Sequence, residues 1–265
     1  MVVDFREINK KTIGDSYPLP NIADILDQLG DSVYFSTFDL ASGFHQIPLK
    51  ENDRPKTGFS TINGHWQFKK MPMGLKNAPA TFQRLMDRIL LGLQNVEMLV
   101  YLDDIIIYAR SLADHLRKVI LLFDRLRAAK LVLQPDKVDF LRREVQFLGH
   151  VVSERGCEPN PDKVVAVKNF PRPRTVTHVR SFTALAGYYR RFIKDFSKIA
   201  KPLYDLTKKN TKFVWGEKQE EAFETLKQKL CEALILQFPD FNKKFTLTTD
   251  ASDYAVGAVL SQEKD

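Results

Sequence analysis

Two adjacent aspartates, Asp103 and Asp104, stand between two short apolar runs, Met98 to Leu102 and Ile105 to Tyr108. Runs of this length and composition read as buried strands, which places the pair at a turn between them. Like charges side by side in such a place are costly unless a cation is near. A third carboxylate, Asp39, ends another run of β-branched and aromatic residues, Val33 to Phe38. Neighbouring strands lie about 5 Å apart, so three strand-end carboxylates on one sheet can share ions. Hard oxygen ligands grouped in this way favour Mg2+, with Mn2+ as an alternative. Two ions about 3.5 to 4 Å apart are the arrangement that activates an attacking hydroxyl and steadies a leaving pyrophosphate in phosphoryl transfer. The competing reading of the pair is a plain polar turn, where Asp is common.

Around these carboxylates the pattern alternates. Thr57 to Ile62 and Trp66 to Phe68 flank Asn63-Gly64, a dipeptide suited to a tight hairpin turn. Pro79 sits where a first helical position is favoured, and Phe82, Leu85, Met86, Ile89 and Leu93 repeat at helical spacing over Ala80 to Leu93. A second amphipathic helix runs from Ala113 to Lys130, and Val145 to Val152 reads as a further strand or hairpin arm. Strand, helix, strand-turn-strand, helix, strand is the order of an α+β fold with a ferredoxin-like split sheet. Beyond prolines clustered near Glu158 to Asp162 and Pro171 to Pro173, the pattern turns helical: His178 to Ile193, Ile199 to Leu206 and Glu217 to Leu234. Strand alternation returns in Lys244 to Asp250 and Tyr254 to Leu260, so a new sheet begins there.

The net charge of +7 is local in origin. Twelve Lys and Arg fall between Val167 and Lys212 against Asp195 and Asp205, interleaved with Tyr188, Tyr189, Phe192 and Phe196. Such a stripe suits a phosphate backbone, with the aromatics filling a groove; the alternative is a solvated helix face. No apolar run approaches the roughly 20 residues of a membrane span, and the first residues carry no signal-peptide core. Cys157 and Cys231 lie far apart without metal-ligand spacing and read as buried thiols.

The segments VVDFREINKKT, FSTFDLASGFHQIPL, KTGFSTINGHWQFKKMPMGLKNAPATFQRLM, YLDDIIIYA, VQFLGHVVS, HVRSFTALAGYYRRFI and FTLTTDASDYAVGAVLSQ occur in the order found in retroviral and LTR-retrotransposon reverse transcriptases. The chain most resembles the Gypsy branch, over nearly its whole length. The resemblance implies a right-hand polymerase: partial fingers and a ferredoxin-like palm over 1–153, a mainly helical thumb and connection over 154–240, and the start of a ribonuclease H-like sheet over 241–265. It makes Asp39 and Asp103 the metal-binding catalytic aspartates, with Asp104 as the third. Phe44 matches the aromatic residue beneath the incoming sugar, whose bulk excludes a 2′-hydroxyl; without the motif it would read as a core phenylalanine. Met73 and Gly74 resemble the segment lining the nucleotide pocket, where a missing side chain allows close backbone approach. Phe147, Leu148, Gly149 and His150 resemble the hairpin that grips the primer terminus. Ala184 and Tyr188 fall on the helix that resembles the one lying along the minor groove of the duplex. Lys137 lies where such polymerases often keep a lysine to protonate pyrophosphate, but the match is loose and a solvated lysine is the preferred reading.

The implied activity is RNA-directed DNA synthesis with Mg2+, an RNA template, a DNA primer or duplex and deoxynucleoside triphosphates. The implied setting is a polyprotein in cytoplasmic virus-like particles with a nuclear phase, as a dimer or joined to the rest of the polyprotein, and off the membrane. The family's lysine and arginine that clamp the triphosphate precede the residues matching Val2 and Val3, so the fingers are expected to be incomplete. Arg6, Lys10 and Lys11 match other positions and do not replace them. Asp250 matches the first ribonuclease H aspartate, and with its partner ligands absent no ribonuclease H activity is expected. The edges of that short sheet are expected to be exposed or disordered. The alternative function is an inactive, nucleic-acid-binding remnant.

Overall fold

The computed structural model describes residues 3–233, 235–252 and 255–262; Val2, Leu234 and Tyr254 lie outside them. Two short helices, α1 (Arg6–Lys11) and α2 (Ile22–Asp27), lead into strand β1 (Tyr34–Asp39). The hairpin β2 (Phe59–Thr61) and β3 (Gly64–Trp66) follows, then helix α3 (Ala78–Ile89) and a second hairpin, β4 (Met98–Tyr101) and β5 (Asp104–Ala109). Helix α4 (Leu112–Ala128) and strand β6 (Asp139–Arg142) close this unit. Strands β4, β5, β1 and β6 form one antiparallel sheet in that order. With the first hairpin set aside, this is the split β-α-β-β-α-β arrangement of a ferredoxin-like fold.

The two faces of the sheet bury different partners, because successive strand residues point to opposite sides. Phe38, Val100, Ile105 and Ile107 pack under Phe82, Met86 and Leu90 of the α3 region and Val119, Leu122 and Leu126 of α4. Phe35, Leu99 and Ile106 point the other way, onto Ile25 and Leu26 of α2 and onto Val145, Phe147 and Val152. Helices α3 and α4 therefore cover one face, while α2 and the segment after β6 cover part of the other and leave the rim near Asp39 half-buried.

Three assignments made from the sequence shift. The first hairpin pairs Thr61 with Gly64, so its turn is Ile62-Asn63, one residue earlier than Asn63-Gly64. Tyr101 pairs with Asp104, which puts Leu102 and Asp103 in the second turn and Asp104 inside β5. The last palm strand is Asp139–Arg142, short and bulged against β1. Residues 145–152 instead belong to a separate sheet of β7 (Glu144–Phe147), β8 (His150–Ser153) and β9 (Gly156–Pro159).

Helices α5 (Pro161–Lys168), α6 (Val176–Tyr188), α7 (Phe196–Asp205) and α8 (Glu217–Cys231) then gather around Phe182, Ala186, Tyr189, Leu203, Phe223 and Leu226. Tyr189 and Phe196 are buried there and Phe192 is half-buried, so the aromatics of the basic stripe are core residues, with Tyr188 the exposed one. Cys157 is buried, whereas Cys231 is exposed, contrary to its reading as a buried thiol. The last elements are the antiparallel hairpin β10 (Thr246–Ser252) and β11 (Ala255–Ser261), with Leu247, Val259 and Leu260 exposed. Among the described residues, no helix is long and apolar enough to cross a membrane.

Candidate active site and nucleic-acid interface

Asp39 is the last residue of β1 and pairs directly with Asp104, the first residue of β5. Antiparallel partners project to the same side, here the face opposite α3 and α4. Asp103 stands beside them in the turn, and its carbonyl accepts a bond from the Leu40 amide at 3.4 Å. Leu102 adopts φ 55°, a left-handed conformation that costs an L-residue about 1 to 2 kcal/mol. Its amide donates to Oε1 of the fully buried Gln83 on α3 at 2.7 Å. Burial, then Asp103, then Asp39 push the Asp104 carboxyl up to about 6, with Lys137 opposing.

Lys137 is largely exposed, as a solvated lysine would be, but it is also ion-paired. It ends a short 3-10 turn, Pro135–Lys137, and its Nζ donates to Oδ2 of Asp39 at 2.9 Å. That contact holds the ammonium's pKa above its ordinary value. The chain thus places a cation of its own against one of the three carboxylates. Among the described residues, no group of three or more His, Cys, Asp or Glu is gathered closely enough to hold a metal by itself. The donor set nonetheless fits a hard divalent ion: three half-buried carboxylates lie together, and burial first, then the charges of Asp103 and Asp39, raise the pKa of Asp104. Mg2+ commonly takes one or two carboxylates and leaves its other positions to water and phosphate, so the set needs no further protein ligand.

Phe44 lies on the 3-10 turn Gly43–Gln46 and packs edge-on against Phe82, ring centroids 5.3 Å apart. The preceding residue has to be glycine: a Cβ at position 43 would lie 2.9 Å from Cζ of Phe82 and 3.3 Å from Cβ of Asp103. Gly43, Gln83 and Lys137 are thus site residues that composition and spacing did not single out. Met73 is exposed. Gly74 takes φ +89°, a backbone angle that favours glycine, and a Cβ there would meet nothing nearer than the Phe5 ring at 3.6 Å. Asn9 of α1 clamps this segment by donating to the Gly74 carbonyl at 2.8 Å and accepting from the Lys76 amide at 2.8 Å. Arg6 and Lys10 are engaged with Asp4 and Glu7.

The turn between β7 and β8 is Leu148-Gly149, both at positive φ. Phe147 and His150 on either side are buried and support the turn from beneath, so it is the turn that is presented outward. Two thumb tyrosines hold it: Tyr188 donates to the Leu148 carbonyl and Tyr189 to the Gly149 carbonyl, each at 2.7 Å. His150 accepts neither; its Nδ1 meets the Leu148 carbonyl at 2.8 Å, and its ring packs among Tyr188, Tyr189 and Phe192. Burial lowers its pKa. Ala184, one helical turn before Tyr188, is exposed beside it. Arg180, Arg190, Lys194 and Lys198 are exposed on the same helical unit, while Arg191 reaches back to Asp27 of α2 at 2.8 Å and ties the unit to the palm.

Comparison with known proteins agrees with this geometry. Residues 1–152 match the family described as reverse transcriptase (RNA-dependent DNA polymerase), and residues 215–265 match an RNase H-like domain found in reverse transcriptase. The chain is 52% identical over 264 residues to the retrovirus-related Pol polyprotein from transposon 297 of Drosophila melanogaster, covering 99% of this chain and 25% of that protein. It is 43% identical to the Pol polyprotein from transposon gypsy of the same organism, covering 99% of this chain and 27% of that one. It is 36% identical to the transposon Tf2-3 polyprotein of Schizosaccharomyces pombe, covering all of this chain and 20% of that protein. The chain therefore spans about a quarter of the length of the curated relatives it matches. A foamy viral protease-reverse transcriptase in complex with double-stranded DNA superposes with a TM-score of 0.84 at 28% identity, over 95% of this chain and 44% of that one. The same kind of enzyme in complex with an RNA/DNA hybrid gives 0.82 at 25% identity, over 98% and 38%.

Proposed function

The chain belongs to the reverse transcriptase family, with Gypsy-type LTR-retrotransposon polyproteins among its relatives, and from this we propose that it carries out RNA-directed DNA synthesis. The observation that carries the reading is the pairing of Asp39 with Asp104 at the rim of the sheet, with Asp103 in the adjoining turn. Asp39, Asp103 and Asp104 would hold Mg2+, or Mn2+ in its place, which supplies charge for the departing pyrophosphate and lowers the pKa of the primer 3′-hydroxyl.

The remaining work falls to groups of this chain. Phe44, wedged on Phe82, limits the space for the sugar and favours deoxynucleotides. Met73 and Gly74 line the nucleotide pocket from the segment anchored by Asn9. The Leu148-Gly149 turn, held by Tyr188 and Tyr189, supports the primer terminus. Ala184 and Tyr188 face the minor groove of the duplex, and the exposed arginines and lysines of the helical unit track its phosphates. The partners are an RNA or DNA template, a DNA primer and deoxynucleoside triphosphates, a reading supported by the DNA and RNA/DNA hybrid bound in the foamy viral relatives. We divide the chain into fingers and palm over 1–153, a mainly helical thumb and connection over 154–240, and an RNase H-like part over 241–265. Asp250 on β10 is exposed.

Primer extension on poly(A)/oligo(dT) with Mg2+ tests the reading, with an Asp103→Asn and Asp104→Asn double variant alongside and duplex binding recorded on the same samples. Extension that the double variant loses by about 10²-fold or more, at unchanged binding, is the expected result. Binding without extension in both proteins would leave a nucleic-acid-holding remnant.

A further inference from the structure

The turn that carries Asp103 is held in a left-handed conformation by one side chain, and that side chain is itself oriented by others. Gln83 accepts the Leu102 amide through Oε1 at 2.7 Å, while its Nε2 donates to Oδ1 of Asp87, one helical turn along α3, at 2.9 Å. The second carboxylate oxygen of Asp87 accepts from the hydroxyl of Tyr17 at 2.5 Å. Tyr17 is in turn fixed from the same helix: the Arg84 guanidinium lies 4.6 Å from its ring centroid and pairs with Asp15 at 2.6 Å. Residues 12–17 are laid along the start of α3 by further bonds, from Lys76 to the Thr12 carbonyl and from Asn77 to the Ile13 carbonyl, each at 2.9 Å.

An amide side chain has one accepting and one donating end, and a buried one must satisfy both. An ionised carboxylate only accepts, so Asp87 can be met by Gln83 only through Nε2, which leaves Oε1 for Leu102. With the amide reversed, its NH2 would face the Leu102 N–H and its oxygen the Asp87 carboxylate, two repulsive contacts in place of two bonds. We infer that Asp87, fixed by Tyr17, is a positioning residue for the catalytic turn: it sets the orientation of Gln83 and thereby holds Leu102 and Asp103 in place. The inference rests on the polymerase reading for its catalytic consequence, and on geometry alone for the hold on the turn. The contribution of a hydrogen bond is of the same order as the left-handed strain at Leu102, so losing this one lets the turn relax.

The test compares Asp87→Leu, Asp87→Asn and Tyr17→Phe with the unaltered chain, measuring Leu102 amide exchange by NMR together with kcat, nucleotide KM and duplex Kd in primer extension. Asp87→Leu should expose the Leu102 amide by about tenfold and lower kcat by about tenfold or more, with KM and Kd within about twofold. Asp87→Asn should stay within about threefold of the unaltered chain, because its oxygen still accepts from Gln83 and its amide donates to the Tyr17 oxygen. Tyr17→Phe, a surface-level change that leaves the core intact, should fall between them in both readouts. Unchanged Leu102 exchange in Asp87→Leu, lost protection without any change in kcat, or equal damage from Asp87→Asn would each overturn the inference. If the unaltered chain extends no primer, the polymerase reading fails separately, and Leu102 exchange alone decides whether Asp87 holds the turn.

Discussion

The Lys137 ammonium sits 2.9 Å from Oδ2 of Asp39, across 98 residues of sequence, so one carboxylate of the paired rim already has a cation of the chain's own against it. A lysine in that position competes with a divalent ion for the same oxygen. Lys137→Met should therefore lower the Mg2+ concentration for half-maximal primer extension by about two- to threefold, a modest effect because the lysine is largely exposed and its attraction is screened. A Mg2+ titration of the extension rate decides it. A rise in the midpoint would mean that Lys137 assists ion binding.

Phe44 should act as the barrier to ribonucleotides. Its ring is braced edge-on by Phe82, so it cannot easily swing aside, and Gly43 keeps both rings close to Asp103. Phe44→Val should raise ribonucleotide incorporation relative to deoxynucleotide by about tenfold or more, read as the ratio of kcat/KM for the two substrates. Gly43→Ala should instead depress kcat for both substrates alike, since its methyl displaces Phe82 and Asp103 together. Equal selectivity in Phe44→Val and the unaltered chain would remove Phe44 from the pocket.

Part of this site was legible in the residues. Paired aspartates between apolar strands suggest a cation but fit a plain polar turn as well, so it is the order of the motifs that singles out Asp39, Asp103 and Asp104, and the sheet register then brings Asp39 and Asp104 side by side. Helical and strand periodicity gave the order of the palm. Hairpin register was not legible: the turn is set at Leu102 by a bond from Gln83 on another element, and leucine carries no local preference for positive φ. Strand β6 was passed over because Asp139–Arg142 is short, half polar and bulged, while the apolar run after it looked stronger. Lys137 matched the family only loosely, and nothing local pointed to Asp39, its partner 98 residues away. The burial of Tyr189 and Phe196 could have been read, since Phe182, Ala186, Tyr189, Ile193 and Phe196 follow helical spacing and mark an inward face.

His115 makes folding stability depend on pH. It is fully buried on α4, its Nε2 lies 2.8 Å from Ser36 Oγ, and that oxygen accepts the Leu141 amide at 2.8 Å, so it helps to dock β6 beside β1. Burial first and the Lys118 charge second lower its pKa below the ordinary 6.5, against smaller opposing pulls from the Tyr34 backbone and then Asp114. The unfolded chain then binds the proton more readily than the folded one. The stabilisation is complete above about pH 6.5 and is lost as the pH falls below it. Urea unfolding midpoints at pH 7.5 and 5.5 should differ more in the unaltered chain than in His115→Gln, which keeps a hydrogen-bonding end for Ser36 without the titration. Some slope should remain, because burial lowers His150 in the same direction.

The two thumb tyrosines should separate stability from primer handling. Tyr189 is buried, and its hydroxyl reaches the Gly149 carbonyl, which also accepts the Asn160 amide at 3.2 Å. Tyr189→Phe therefore removes one bond without orphaning its acceptor and should cost about 1 kcal/mol in urea unfolding. Tyr188 is nearly half exposed, with its hydroxyl on Leu148 and its ring edge open toward the face that Ala184 shares. Tyr188→Phe should cost less stability, and its effect should appear as faster primer dissociation, because the Leu148-Gly149 turn then has one tyrosine anchor in place of two. Off-rates from a fluorescent primer-template, measured beside the unfolding curves, distinguish the two residues. A Tyr188→Phe chain with an unaltered off-rate would show that the turn is held by Tyr189 alone.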